Sequence, residues 1–220
     1  AHMLFGLSST LPFTIAIVAN DFGILAVTAI LLARGMAAEA STRRLRYRSS
    51  RGEVELPRIA SDGYHLFLSH AWITGQDQMR VVKQRLLEVL PGARIFLDVD
   101  EPGFEIGDLE SYVARSRAVL VFCSRGYFQS KNCMRELRAA VANGKPLIAL
   151  LEPEAGHGAM SEEEVRRQLL HESCESWGFG PHPSPQELVD ALLPVAPEPI
   201  EWNRLSPHQD VTLRLIAERL

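Results

Sequence analysis

The sequence contains few of the residues from which disulfide frameworks and zinc sites are built. Its 220 residues include three cysteines, with no C-x-x-C pair and no histidine at zinc-ligand spacing. A disulfide-rich secreted class and a zinc module are therefore not indicated, and a reducing intracellular setting fits best. The formal net charge of −4 also gives no reason to expect nucleic acid as the main partner.

Charged residues are nearly absent from one long segment near the N-terminus. After Ala1-His2-Met3, which we interpret as a remnant of a cloning vector, an apolar run extends from Leu11 to Ala33. A run of ~20 apolar residues is long enough to span a bilayer. Asp21 lies in its middle, where a carboxylate costs roughly 2.5–3.5 kcal/mol on an insertion scale. The run is therefore either a membrane span or a pair of short buried helices hinged at residues 20–23.

Arginine is concentrated directly after the apolar run. If the run spans a membrane, this basic flank places everything after it in the cytoplasm. If it does not, the same arginines belong to an ordinary flexible linker. The cluster comprises Arg34, Arg43, Arg44, Arg46, Arg48 and Arg51. We predict a vector remnant over 1–3, an apolar helical segment over 4–34, a basic polar linker over 35–62 and one domain over 63–220.

Short apolar runs alternate with segments of helical period throughout the domain. Because strands that alternate with helices imply right-handed crossovers, we predict an α/β fold. Its core is a doubly wound parallel sheet of about five strands with helices on both faces. A polar loop is predicted at Ile73–Gln76 after the first strand. The predicted strands are Tyr64–His70, Ala93–Val99, Arg117–Ser124, Lys145–Glu152 and Pro199–Trp202.

One glutamate lies where a ligand of such a sheet would bind. Ligands of open parallel sheets bind beyond the carboxyl ends of the strands. A helix predicted over Tyr127–Val141 begins directly beyond the third strand. Helical geometry places Glu136 about 60° from Cys133, at the edge of the buried stripe. On geometry alone Glu136 is either a boundary charge or a carboxylate that faces a cleft.

Residues 64 to about 152 resemble a TIR (Toll/interleukin-1 receptor/resistance) domain. YHLFLSHAW resembles the first-strand box, and IFLDVDEPGFEIGDLESYVARS resembles the second strand, the BB loop and a short helix. VLVFCSRGYFQSKNCMREL resembles the third strand with its S-x-x-C-x-x-E-L segment, and PIEWNRLS resembles the fifth-strand region more loosely. These boxes occur in the order of the family over ~90 residues. The resemblance implies a flavodoxin-like fold.

The resemblance also implies one of two functions. Many TIR domains cleave NAD+ at the nicotinamide-ribose bond, and their required glutamate corresponds to Glu136. Animal receptor and adaptor TIR domains generally lack that glutamate and act as assembly modules. We therefore expect an NAD+ glycohydrolase in a signalling or immune response. Self-association through the BB loop and adjacent helices would activate it, and a non-catalytic scaffold is the alternative.

The expected site follows from the same resemblance, with NAD+ as substrate and no cofactor or metal. Trp72 offers an aromatic surface for stacking, whereas Cys133 is interpreted as a small buried residue because no base lies beside it. Many catalytic relatives carry an arginine just after the first strand, where this chain has Ala71-Trp72, so a phosphate contact is missing there. The residues expected to line the site with Glu136 are Ser69, His70, Ala71, Trp72, Phe104, Ile106, Gly107 and Cys133.

Overall fold

The apolar segment near the N-terminus forms one continuous helix. The structure is a computed structural model that describes residues 10–100, 106–171 and 177–220. Helix α1 extends over Thr10–Arg43, so the alternative of two short helices hinged at residues 20–23 is wrong. Its side chains over 14–36 are exposed, and Thr14–Met36 has a mean hydropathy of 2.2. By length and composition this stretch is sufficient to cross a membrane.

The chain divides into two compact units, residues 1–44 and 45–220. The second unit contains a five-stranded parallel sheet in the order β2-β1-β3-β4-β5, which confirms the predicted fold class. Its strands are β1 (Tyr64–Ser69), β2 (Ile95–Phe96), β3 (Ser116–Cys123), β4 (Leu147–Leu151) and β5 (Ile200–Glu201). Its helices are α2 (Trp72–Val89), α3 (Leu109–Arg115), α4 (Lys131–Ala142), α5 (Glu162–His171), α6 (Pro185–Leu192) and α7 (Ser206–Ala217).

Two apolar cores lie on opposite faces of the sheet because successive strand residues point to opposite sides. Phe67, Val119 and Val121 belong to the core that α3, α4, α5 and α6 cover. Leu66 and Leu120 belong to the core that α2 and α7 cover. Each large apolar side chain buried in this way contributes about 1.5–3 kcal/mol. Burial on both faces explains the continuous apolar run of β3.

The loop predicted at Ile73–Gln76 is part of a helix, because α2 begins at Trp72. Gly75 permits this early start by allowing the first turn to pack against β1 and β3. A Cβ atom at Gly75 would lie 2.9 Å from His70 Cβ and 3.0 Å from Phe122 Cδ1. The polar composition that indicated a loop therefore reflects close packing of a helix start.

Residues 45–56, part of the predicted linker, belong to the second unit and pack against its core. The Leu45 N–H donates to the carbonyl oxygen of Val89 at 3.0 Å, and Arg46 forms an antiparallel bridge with Glu53. Leu45 and Val54 are partly buried and pack against the core on the α2 side. Residues 45–56 are thus attached to the edge of the domain.

Helix α4 begins later than predicted. Residues Tyr127–Gln129 form a 3₁₀ turn, and Ser130 caps α4 by accepting the Cys133 N–H at 3.4 Å. Arg138 on α4 is buried because the segment around residues 180–183 covers it. Its guanidinium donates to three carbonyl oxygens, those of Gly180, His182 and Pro183.

A candidate active site at the carboxyl end of the sheet

Glu136 lies in the second turn of α4 with only 7% of its surface exposed. Ser69, the last residue of β1, donates its hydroxyl hydrogen to Glu136 Oε2 at 2.5 Å. Tyr127 in the 3₁₀ turn makes a hydrogen bond of 2.5 Å with the same Ser69 oxygen, and its hydroxyl also lies 3.4 Å from the carbonyl oxygen of Cys133. The strand end, the turn and the helix therefore hold one carboxyl group in a single orientation.

Burial raises the pKa of Glu136 to about 8. The hydrogen bond from Ser69 acts in the opposite direction, and the nearby Asp98 carboxylate adds to the rise. No arginine or lysine makes an ion pair with Glu136 in the described part of the chain. Near neutral pH the group can therefore hold or lose a proton, as a general acid, a general base or a stabiliser of positive charge requires.

A cleft of about 630 Å³ opens beside Glu136. Of the residues predicted for the site, it is lined by His70, Ala71, Trp72, Cys133 and Glu136. Residues from the ends of β2 and β3, from the first turns of α2 and α3, and from the start of α4 with the turn before it complete the wall, as expected for the ligand side of a parallel sheet. They include Thr74, Asp98, Leu109, Arg125, Gly126, Gln129, Ser130 and Asn132.

Ser69 and Gly107, which were also predicted for the site, are not among the residues that line the cleft. Ser69 is fully buried and directs its hydroxyl to Glu136. Gly107 is exposed in a 3₁₀ turn over Ile106–Asp108. The side chain of Ile106 and the whole of Phe104 lie outside the described residues. The structure therefore brings together the predicted residues that follow β1 and those on α4.

Asp98 is a site residue that sequence reasoning did not select. Its Oδ2 accepts the indole N–H of Trp72 at 2.8 Å, which fixes an aromatic ring that is 57% exposed at the mouth of the cleft. Its Oδ1 lies 3.9 Å from His70 Nε2, a buried atom with no hydrogen-bond partner in the described part of the chain. The available signal was its position at the carboxyl end of the second predicted strand.

His70 and Cys133 are both uncharged at neutral pH. Burial lowers the pKa of His70, although the carboxylate of Asp98 opposes that effect. Burial and the nearby Glu136 raise the pKa of the Cys133 thiol to about 12, and the thiol donates to the His70 carbonyl oxygen at 3.3 Å. Cys133 is therefore a packing residue and not a nucleophile.

A larger cavity of about 1020 Å³ lies elsewhere, between β4, α5 and α6. Its wall contains several carboxylates, among them Glu162, Glu164 and Asp190. None of the residues that gather around Glu136 reach it. We assign the site to the smaller cleft because a buried carboxyl with a raised pKa and an oriented aromatic ring converge there.

Comparison with known proteins agrees with the architecture. Residues 66–172 match the family model described as TIR domain. The TIR domains in the activated Roq1 resistosome directly recognizing the pathogen effector XopQ superpose with a TM-score of 0.50 at 16% identity, covering 71% of this chain and 98% of that one. The TIR domain of the Toll-related receptor TRR-2 from Hydra magnipapillata gives a TM-score of 0.40 at 14% identity, with 70% and 96% covered. No curated protein sequence matches the chain.

Proposed function

We propose that the TIR domain carried by residues 66–172 is an NAD+ glycohydrolase, with Glu136 as the carboxylate that faces the ribose. One observation carries the proposal. Glu136 is a buried carboxyl without a cationic partner among the described residues, oriented by Ser69 at the wall of the cleft. A group of this kind is costly to bury, so its retention in the cleft is best explained by chemistry.

The chemistry of the reaction suits such a group. As the nicotinamide-ribose bond breaks, its electron pair moves to the ring nitrogen and nicotinamide leaves neutral, while positive charge develops on the ribose. Water then attacks the ribose carbon and releases a proton. An ionised Glu136 stabilises the developing cation, and the low dielectric of a buried site strengthens that attraction. The cationic nicotinamide ring of bound NAD+ itself favours ionisation of Glu136.

The neighbouring residues take supporting roles in this proposal. Trp72 provides a ring surface on which an aromatic ring of the dinucleotide stacks, and Asp98 holds the indole in place. His70, Ala71 and Cys133 form the wall around the ribose. Ser69 positions Glu136 and does not touch the substrate.

Self-association through the BB loop and adjacent helices is the proposed activating step. Phe104, Ile106 and Gly107 belong to that loop and would complete the site from a neighbouring subunit. We further propose that α1 tethers the TIR domain to a membrane from the cytoplasmic side. Co-sedimentation of the full chain with phosphatidylcholine vesicles, compared with a chain starting at residue 45, tests the tether. Equal sedimentation of the two chains would contradict it.

The experiment for the enzymatic proposal is nicotinamide release by the concentrated full chain. Glu136→Gln keeps the shape of the side chain and should lower the rate at least ~100-fold. Glu163→Gln, on the exposed side of α5, is the matched control and should leave the rate unchanged. Absence of release by the wild type in every assembled state, or full activity of Glu136→Gln, would overturn the proposal.

A non-catalytic scaffold is the second candidate. It is favoured by the exposed apolar pair Trp72 and Ile73, which are 57% and 99% exposed beside the cleft. In a scaffold, Ile73→Ser would weaken self-association measured by light scattering, whereas no variant would alter NAD+ levels. Loss of NAD+ cleavage in Glu136→Gln with unchanged self-association would exclude this candidate.

A further inference from the structure

A second cleft of about 500 Å³ adjoins the cleft of Glu136. The two share four lining residues, Trp72, Ile73, Thr74 and Arg125. Beyond this shared wall, the second cleft extends to the turn at residues 155–158 and to Arg204. The two clefts together can therefore hold a ligand larger than one nucleotide, with Arg125 between its two halves.

The backbone of Arg125 is fixed at this shared wall. Its N–H donates to the carbonyl oxygen of Gly158 at 2.8 Å, and Thr74 Oγ1 donates to its carbonyl oxygen at 3.1 Å. Gly158 has φ +85°, and a Cβ atom there would lie 3.1 Å from Arg125 Cβ. The guanidinium is therefore carried by a rigid base, with an exposed side chain that can reach either cleft.

The charges around the second cleft leave Arg125 as its available cation. Arg204 bonds to the Glu152 carboxylate at 2.5 Å, and His157 lies 3.6 Å from Glu154. Over the described ranges, Arg125 has no ion-pair partner within 4.0 Å, and its charge acts on the carboxylate of Glu164 only at longer range. Asp77 contributes a carboxylate to the wall, so the positive charge there is local to the Arg125 side.

We propose that Arg125 binds the diphosphate of a dinucleotide that occupies both clefts, with its adenosine half in the second cleft. This inference rests on the proposed function, since it places the nicotinamide-ribose half at Glu136. A guanidinium binds phosphate oxygens through two parallel hydrogen bonds, and it stays charged at every physiological pH. The chain thereby selects dinucleotides over mononucleosides.

Binding of ADP-ribose to the full chain, measured by calorimetry, tests the subsite separately from turnover. Arg125→Gln should weaken binding about tenfold, because one charge-assisted contact is lost. Arg167→Gln, an exposed arginine on α5, is the matched control and should bind as the wild type does. In turnover, Arg125→Gln should raise KM for NAD+ by a similar factor with kcat retained. Cleavage of nicotinamide riboside, which has no phosphate, should not change.

The outcomes separate the subsite from the enzymatic proposal. If the chain releases no nicotinamide but ADP-ribose binding depends on Arg125, the subsite stands and the glycohydrolase proposal fails. If NAD+ is cleaved and Arg125→Gln binds ADP-ribose as the wild type does, the subsite is overturned. Equal losses in Arg125→Gln and Arg167→Gln would also overturn it, because a general electrostatic effect would then explain the result.

Discussion

Two buried glutamates near the carboxyl end of the sheet have opposite surroundings. Glu152, directly after β4, is fully buried, and Arg204 donates to both of its carboxylate oxygens. Glu136, on α4, is 7% exposed and is held by the hydroxyl of Ser69. Removing the arginine from a buried ion pair leaves an uncompensated charge, whereas burial of a carboxyl bonded only to a hydroxyl raises its pKa. The surroundings of a buried carboxyl, and not its burial alone, distinguish a structural from a functional role.

Removal of the arginine that pairs with Glu152 should destabilise the fold more than any of the other substitutions. Arg204→Gln leaves Glu152 buried and unpaired, so we expect the free energy of unfolding to fall by about 3 kcal/mol. Urea denaturation measures this change. The double variant Glu152→Gln/Arg204→Gln is the control, and it should recover most of the loss because no charge is then buried. A decrease in the free energy of unfolding of less than about 1 kcal/mol for Arg204→Gln would contradict a structural role of the Glu152–Arg204 pair.

At high pH, Glu136→Gln should stabilise the protein, whereas Arg204→Gln destabilises it. Its pKa in the folded protein, about 8, lies above the value of roughly 4.3 for an unfolded glutamate. The contribution of Glu136 to stability is therefore fully present below pH ~4 and is lost as the pH rises to ~8. The glutamine variant avoids this loss, so we expect it to be more stable than the wild type by about 5 kcal/mol at pH 8.5, since a change of one in the pKa corresponds to about 1.4 kcal/mol. Equal stability of the two proteins at pH 4 is the control.

Ser69→Ala tests whether the hydroxyl positions Glu136 and favours its ionised form. Loss of the hydrogen bond raises the pKa of Glu136 further, because only the neutral form then avoids the desolvation penalty. Nicotinamide release at pH 7 should fall about tenfold, with partial recovery at pH 9. The pH profile is the decisive measurement, since a structural defect alone would not be reversed by base.

Asp98→Asn should have the smallest effect. The asparagine keeps an oxygen that can accept from the Trp72 indole but removes a negative charge near Glu136. The pKa of Glu136 should then decrease modestly, which shifts the rising limb of the rate profile to lower pH. A shift to higher pH would show that the Asp98 carboxylate does not act on Glu136 through charge. Trp72 fluorescence checks that the indole remains in place.

The hydrophobic pattern of the sequence predicted the strands, because a strand that is buried on both faces of the sheet is a continuous apolar run. The runs around β1, β3 and β4 coincide with the observed strands to within about two residues, as periodicity allows. The start of α2 was missed because its first turn contains Thr74 and Gly75, residues typical of loops. Their helical state depends on packing against His70 and Phe122.

The pattern of the sequence was enough to predict the succession of strands and helices along the chain, the parallel sheet, and the position of Glu136 beyond the third strand. These follow from periodicity and chain connectivity, which are local. The ionisation of Glu136 depends instead on contacts between distant parts of the chain. Its hydrogen-bond donor Ser69 is 67 residues away, and the Asp98 carboxylate reaches it from a different strand end. Folding alone sets burial, partner and neighbouring charge together, and these three quantities determine when the carboxyl of Glu136 is ionised.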